Sequence, residues 1–489
     1  MGCGASKPEV VEKAPALAPP RQADKPPPCV GLLDTHKLVK ELGRGGTGET
    51  FLYEDKQNNN ELVAVKLIKR PLPKVIQANI LREIMIQANL GEGHVNVINA
   101  KEALLTESHL ALVMEYAACG SLTGYVAGRW QAAQHSGLFL QEDEARYFFR
   151  QFIQAVEYCH THFVAHRDLK LDNTLLDMTK PPMVKLCDFG FAKTWESNEE
   201  ANMYTHIGTP VYMSPELINS RNGAKGYDGK QVDVWASGVL LIVMLLGTFP
   251  FDHIENPDPN TSEAHLEVWM QQIRTPWTDI PHIKNMIEKL SPEVTDLLNK
   301  IFVIDEKARI TIPQIKEHPW YNVPLNPKYA EAERTINERQ RRVEQYIRQR
   351  DLNIGLINER NKKLEQLVNA AAGPAVPLPH TRRTPLERID LREEACRADA
   401  QALGNGPALD ALPDITEEGG EGTDASVRAE GSVANGSRAA MEGVQRSWSL
   451  VRGQNAAVLE AVLKSPLVGC LCWAAKVAML AWLPLCAVG

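Results

Sequence analysis

The sequence predicts an α+β fold of two lobes, a small β-rich one followed by a larger α-helical one. Two observations predict it. Early in the stretch from about 36 to 321 come short apolar runs of strand character, LVAVKLI and HLALVMEY. Long helical patterns follow, EDEARYFFRQFIQAVEYCH and VDVWASGVLLIVMLL. Strands first and helices later put the two kinds of structure in separate layers around the core.

The elements fall in five parts. Residues 1–33 are rich in Pro and Ala (PALAPPRQADKPPP) and read as a flexible linker. Residues 34–321 form the two-lobed domain. Residues 328–368 are a charged helical stretch, 371–462 a Gly/Ala/Pro/Glu/Ser segment expected to be disordered, and 466–489 a strongly apolar tail. At 489 residues, 44% hydrophobic and 23% charged, the chain is of ordinary globular composition. A net charge of −8 and the lack of a Lys/Arg block give no reason to expect nucleic-acid binding. Nine scattered cysteines suit a reducing compartment rather than a disulfide framework. The first thirty residues hold no continuous apolar core of a secretory signal.

Four strings in order carry the chemistry: GRGGTG at 43–48, VAVK at 63–66, HRDLKLDN at 166–173 and DFG at 188–190. Any one alone would be weak; a lone GxGxxG is as readily a hairpin turn. Together they supply the parts of an ATP-dependent phosphotransferase, which must position ATP and metal and neutralise charge. Gly43, Gly45 and Gly48, without side chains, let backbone N–H groups approach phosphates. Lys66 would hold the α- and β-phosphates, with Glu83 in LREIMIQANL as its ion-pair partner. Asp168 would act as the base toward a substrate hydroxyl. Lys170 would offset charge on the transferred group. Asn173 and Asp188 are oxygen donors suited to Mg²⁺. Cys187, just before DFG, reads as a small packed residue rather than a redox centre.

Residues 38–321 resemble eukaryotic protein kinases of the calmodulin-dependent-kinase-like group. They are most similar to the plant stress-activated kinases related to the sucrose-nonfermenting kinase, second subfamily. The strings EDEARYFFRQFI, HRDLKLDNTLLD, VKLCDFGFAK, GTPVYMSPE, YDGKQVDVW and ARITIPQIKEHPW carry the resemblance. It implies a bilobal protein kinase fold, ATP and Mg²⁺ in the cleft and transfer to Ser/Thr of protein substrates. By matched position it implies Met114 as gatekeeper and Glu115 to Ala117 as the hinge meeting adenine, with Thr50 and Ala64 against the nucleotide. Thr209 would steady Asp168, Glu216 would pair with Arg309, and Asp233 would anchor the catalytic loop.

Arg167, beside the catalytic Asp, carries charge that needs a partner. In similar kinases an activation-loop phosphate supplies it. Thr205 is the expected phosphosite, set by an upstream kinase, with Arg167 and Lys193 as ligands. The chain departs from the pattern at Thr50 (usually Val), at Thr47 on the loop tip, at Ser121 (usually acidic) and in an insertion at about 128–139. These put ATP affinity and preference for basic substrates in question.

At the amino end, MGCGASK offers Gly2 for myristoylation and Cys3 for palmitoylation. Two acyl chains hold a membrane where one does so marginally. The expected location is therefore the cytoplasmic face of a membrane, the plasma membrane first, otherwise the cytoplasm. The apolar tail nearly reaches bilayer length, but Lys476 and Pro484 interrupt it. Along 336–368, Ile336, Val343, Ile357 and Leu364 share one heptad position, and Ile347, Ile354 and Val368 the other; Arg350, Gln340 and Asn361 interrupt. That pattern permits a coiled-coil homodimer or a single amphipathic helix docked on the domain. The sequence thus reads as a membrane-tethered Ser/Thr protein kinase in stress or nutrient signalling, activated by a loop phosphate. Its rival is a membrane-anchored pseudokinase scaffold.

Overall fold

Strands β1 (His36–Gly45), β2 (Gly48–Asp55), β3 (Glu61–Lys69), β4 (Ala100–Leu105) and β5 (His109–Glu115) build the small lobe, with helix α1 (Lys74–Leu90) between β3 and β4. They pair antiparallel in the order β1-β2-β3-β5-β4. Along β3, Val63, Val65 and Leu67 join Phe51, Tyr53 and Val113 in one apolar cluster. Ala64 and Lys66 alternate with them and so face the other side, toward the cleft. The chain is seen in a computed structural model that describes residues 35–391 apart from 46–47, 91, 130–132, 134–136, 196–201, 204–207, 221–225, 253–260, 350–353 and 374–386.

The larger lobe is helical: α2 (Leu122–Ala127), α3 (Glu142–Thr161), α4 (Gly229–Leu246), α5 (Ser262–Arg274) and α6 (Pro292–Ile301). Three acidic residues open α3, where the helix dipole favours negative charge. Helix α4 is buried along nearly its whole length because it runs through the core, and after its first turn its residues are almost all apolar. Asp228 caps its start by accepting from the Lys230 amide. Gly247 ends it in the left-handed region at φ 68°, where a Cβ would also strike the Phe139 ring. Short strand pairs frame the loops facing the small lobe: β6 (Val164–Ala165) with β9 (Lys193–Thr194), β7 (Thr174–Leu176) with β8 (Val184–Leu186), and β10 (Asn202–Met203) with β11 (Tyr227–Asp228).

Beyond residue 321 the structure differs from the sequence expectation in two ways. The charged stretch is two helices, α7 (Pro327–Gln349) and α8 (Ile354–Ala371). Three of the seven apolar seam positions are spent inside the chain. Ile336 joins the large-lobe core, and Leu364 and Val368 pack with Ile80, Ile84 and Ala88 of α1. Gln340, which breaks the heptad, accepts from the Val95 amide at 3.0 Å and donates to the Gly93 carbonyl at 3.1 Å. Ile336, Leu364 and Val368 pack against the chain's own lobes, as the docked-helix alternative expects.

The second difference is at Glu387–Asp390, inside the stretch expected to be disordered. It forms β12, antiparallel to β4, and makes the sheet six-stranded. Ile389 and Leu391 turn inward at 6% and 1% exposure. Main-chain pairing with an open sheet edge drives this, and composition does not register it. Gly2, Cys3, Thr205 and the tail at 466–489 lie outside the described residues.

Candidate active site

The sheet register gathers the expected nucleotide-side residues on one face. Thr50 pairs with Lys66 across β2 and β3, and Ala64 with Met114 across β3 and β5. Gly45 pairs with Gly48 at the facing ends of β1 and β2. A Cβ at Gly48 would lie 2.4 Å from the Leu67 carbonyl oxygen, so a side chain would push the hairpin off β3. Around Gly43 a Cβ would meet nothing, which leaves the backbone approachable. Ala117 is buried at the hinge. The Glu115 carboxylate is engaged by Lys185 Nζ at 2.8 Å and by the Asn99 amide at 2.7 Å.

Lys66 and Glu83 form a buried ion pair, and Lys66 Nζ lies 3.9 Å from Asp188 Oδ1. Burial pulls the Lys66 pKa down, but Glu83 and Asp188 outweigh it and hold the ammonium charged. Desolvation works to raise the Asp188 carboxyl, yet Lys66 and Lys170 bring it below its ordinary value. Asp188 is thus ionised and opens onto the cleft, as a Mg²⁺ ligand must be. Phe189, next in the chain, is buried against His166 at a ring distance of 5.0 Å. His166 Nε2 also lies 3.1 Å from the Cys187 carbonyl oxygen. Burial pushes the Cys187 thiol up, in keeping with a packed, inert residue.

Asp168 is held from three sides. Its Oδ2 accepts from Lys170 Nζ at 2.6 Å and from Asn173 Nδ2 at 3.1 Å, and its Oδ1 from Thr209 Oγ1 at 2.9 Å. The loop beneath is fixed by Asp233 on α4, which accepts from the backbone amides of His166 and Arg167 at 2.9 and 2.8 Å. Arg167 and Asp188 sit at φ 63° and 65°, a region unfavourable for side-chain-bearing residues. Glu216 and Arg309 make a bidentate pair at 2.6 and 2.8 Å.

Two features escaped the sequence reading. Arg82 precedes Glu83 on α1, and its charge reaches Lys193, whose pKa is lowered by burial, then Arg167, then Arg82. Nothing in a lone Arg on a helix signals this. The acidic place taken by Ser121 is also explained locally: its hydroxyl caps α2 by accepting from the Gly124 amide at 3.4 Å.

A cleft between a β-sheet lobe and a helical lobe, with an ion-paired Lys66, a braced Asp168 and an ionised Asp188, is the arrangement of a protein kinase. Residues 36–321 match the protein kinase domain family, and the chain belongs to it. It is a serine/threonine-protein kinase, and the family uses ATP and Mg²⁺. The chain is 42% identical over 295 residues to serine/threonine-protein kinase SRK2E of Arabidopsis thaliana, covering 60% of this chain and 74% of that one. It is 42% identical over 297 residues to SAPK9 of Oryza sativa subsp. japonica, covering 60% and 74%. With SAPK3 of Oryza sativa subsp. indica it shares 40% over 303 residues, covering 62% and 81%. These are the plant kinases that the motifs resemble.

Proposed function

We propose that this kinase works at the cytoplasmic face of a membrane, in stress or nutrient signalling, and is switched on by phosphate on Thr205. The reading of the catalytic residues rests on one observation above all: Asp168 is braced by Lys170, Asn173 and Thr209 at hydrogen-bond distance. In this reading Asp168 orients the substrate hydroxyl and takes its proton. Lys170 lies where negative charge accumulates on the transferred group. Gly43, Gly45, Gly48 and Lys66 hold the phosphates, and Asn173 and Asp188 hold Mg²⁺. ATP supplies the phosphoryl group.

The Lys193 pKa is lowered by burial and then by the charges of Arg167 and Arg82, and cations that repel one another favour a dianionic partner, which supports the switch. Gly2, Ser6 and Cys3 support the tether, and the named plant relatives support the signalling role. The paired Lys66 and braced Asp168 weigh against a pseudokinase scaffold.

The test is phosphate transfer by the full chain onto a Ser/Thr peptide library, beside Asp168→Asn and Thr205→Ala. Transfer lost in Asp168→Asn and reduced in Thr205→Ala is expected. Full activity of dephosphorylated Thr205→Ala would remove the switch, and absent myristate incorporation in the wild type would remove the tether.

A further inference from the structure

Away from the cleft, the small-lobe sheet brings three metal-ligating side chains together. His36 opens β1 and pairs with Asp55 at the end of β2, while Glu102 lies on β4. Their exposures are 0%, 2% and 2%. Nε2 of His36 stands 3.9 Å from Asp55 Oδ2 and 4.0 Å from Glu102 Oε1. One ligand atom from each residue lies within 4.8 Å of the other two.

Most of the cluster has partners. Asp55 accepts from the Gln57 amide at 2.9 Å and from Asn58 Nδ2 at 2.6 Å. Glu102 forms an ion pair with Arg388 of β12, whose second nitrogen reaches Oε1 at 3.1 Å. Nδ1 of His36 bonds to the Thr35 hydroxyl at 2.8 Å. Nε2 of His36 is buried and has no hydrogen-bond partner. It aims between two carboxylates, yet both gaps are too wide for a hydrogen bond. They are close to what an ion between them requires. Two zinc bonds of about 2.1 Å at a tetrahedral angle hold their ligand atoms roughly 3.4 Å apart.

We propose that His36, Asp55 and Glu102 form a structural divalent-metal site of the zinc class. The imidazole gives one nitrogen and each carboxylate one oxygen; the mixed set with nitrogen favours zinc over Mg²⁺. Arg388 is the outer partner that orients Glu102. A bound ion would join the first strand to β4 and, through Arg388, to β12.

The experiment uses the full chain, stripped with a chelator and returned to Zn²⁺ with Mg²⁺ in excess. Retained zinc is measured by elemental analysis and affinity by calorimetry. One zinc per chain is expected, with affinity about 100-fold weaker in His36→Gln and about tenfold weaker in Arg388→Gln. Co²⁺ in the same site should show d–d absorption without a thiolate charge-transfer band, which separates it from a cysteine site. Thermal unfolding in chelator checks that His36→Gln is folded; Asp55→Asn serves if it is not. No retained zinc in the wild type, unchanged affinity in these variants, or a thiolate band at the site would overturn the proposal.

Discussion

Arg70, just past β3, donates to the carbonyl oxygen of Ala370 at 2.8 Å across 300 residues of chain. The same guanidinium donates to the Thr106 carbonyl at 2.7 Å. One buried side chain thus closes the C-terminus of α8 against the strand that carries Lys66. Arg70→Gln should lower stability by about 2 kcal/mol, since hydrogen bonds from a charged donor are worth more than neutral ones. Thermal unfolding of the full chain would show it.

Leu364 is fully buried on α8 against α1, the helix that presents Glu83. Leu364→Ala should cost about 2–5 kcal/mol as a core truncation. Because the cavity opens behind α1, transfer activity should fall at temperatures where the variant is still folded. Parallel melting and rate measurements separate the two effects.

Lys66→Met removes the cation from the ion pair with Glu83. A loss of about 10²–10³-fold in transfer rate is expected, typical of deleting one preorganised electrostatic group. Peptide binding should be unchanged, and calorimetry with the peptide checks that.

His94 has its pKa lowered from 6.5 to about 4, chiefly by burial and then by Lys185 and His162. Its folded pKa is depressed, so between these values the unfolded chain binds the extra proton. Stability from this group is present above pH 6.5 and is lost as pH falls toward 4, by about 3 kcal/mol in all. Denaturant titrations across that window should show the slope, and His94→Gln should flatten it.

Much of the catalytic centre was legible in the sequence because its chemistry is local. HRDLKLDN and DFG place Asp168, Asn173 and Asp188 within short loops, and period-two strands place Lys66 and Ala64 on one face. What escaped was set by packing at a distance. The charge of Arg82, on α1, acts on Lys193 more than a hundred residues later in the chain. Gln340 looked like a fault in a heptad, yet it pairs with the backbone of Gly93 and Val95. Residues 387–391 carry too short an alternation to read as a strand until β4 offers an edge.

The pairing of β12 with β4 and of α8 with α1 also bears on how the chain is made. The small lobe leaves the ribosome first, but its last partners arrive some 300 residues later. At ordinary elongation rates that is a wait of about 15–60 s. Through that interval the nascent lobe carries an apolar helix face and an unpaired strand, features that chaperones recognise. The part synthesised first is therefore the part whose folding finishes last.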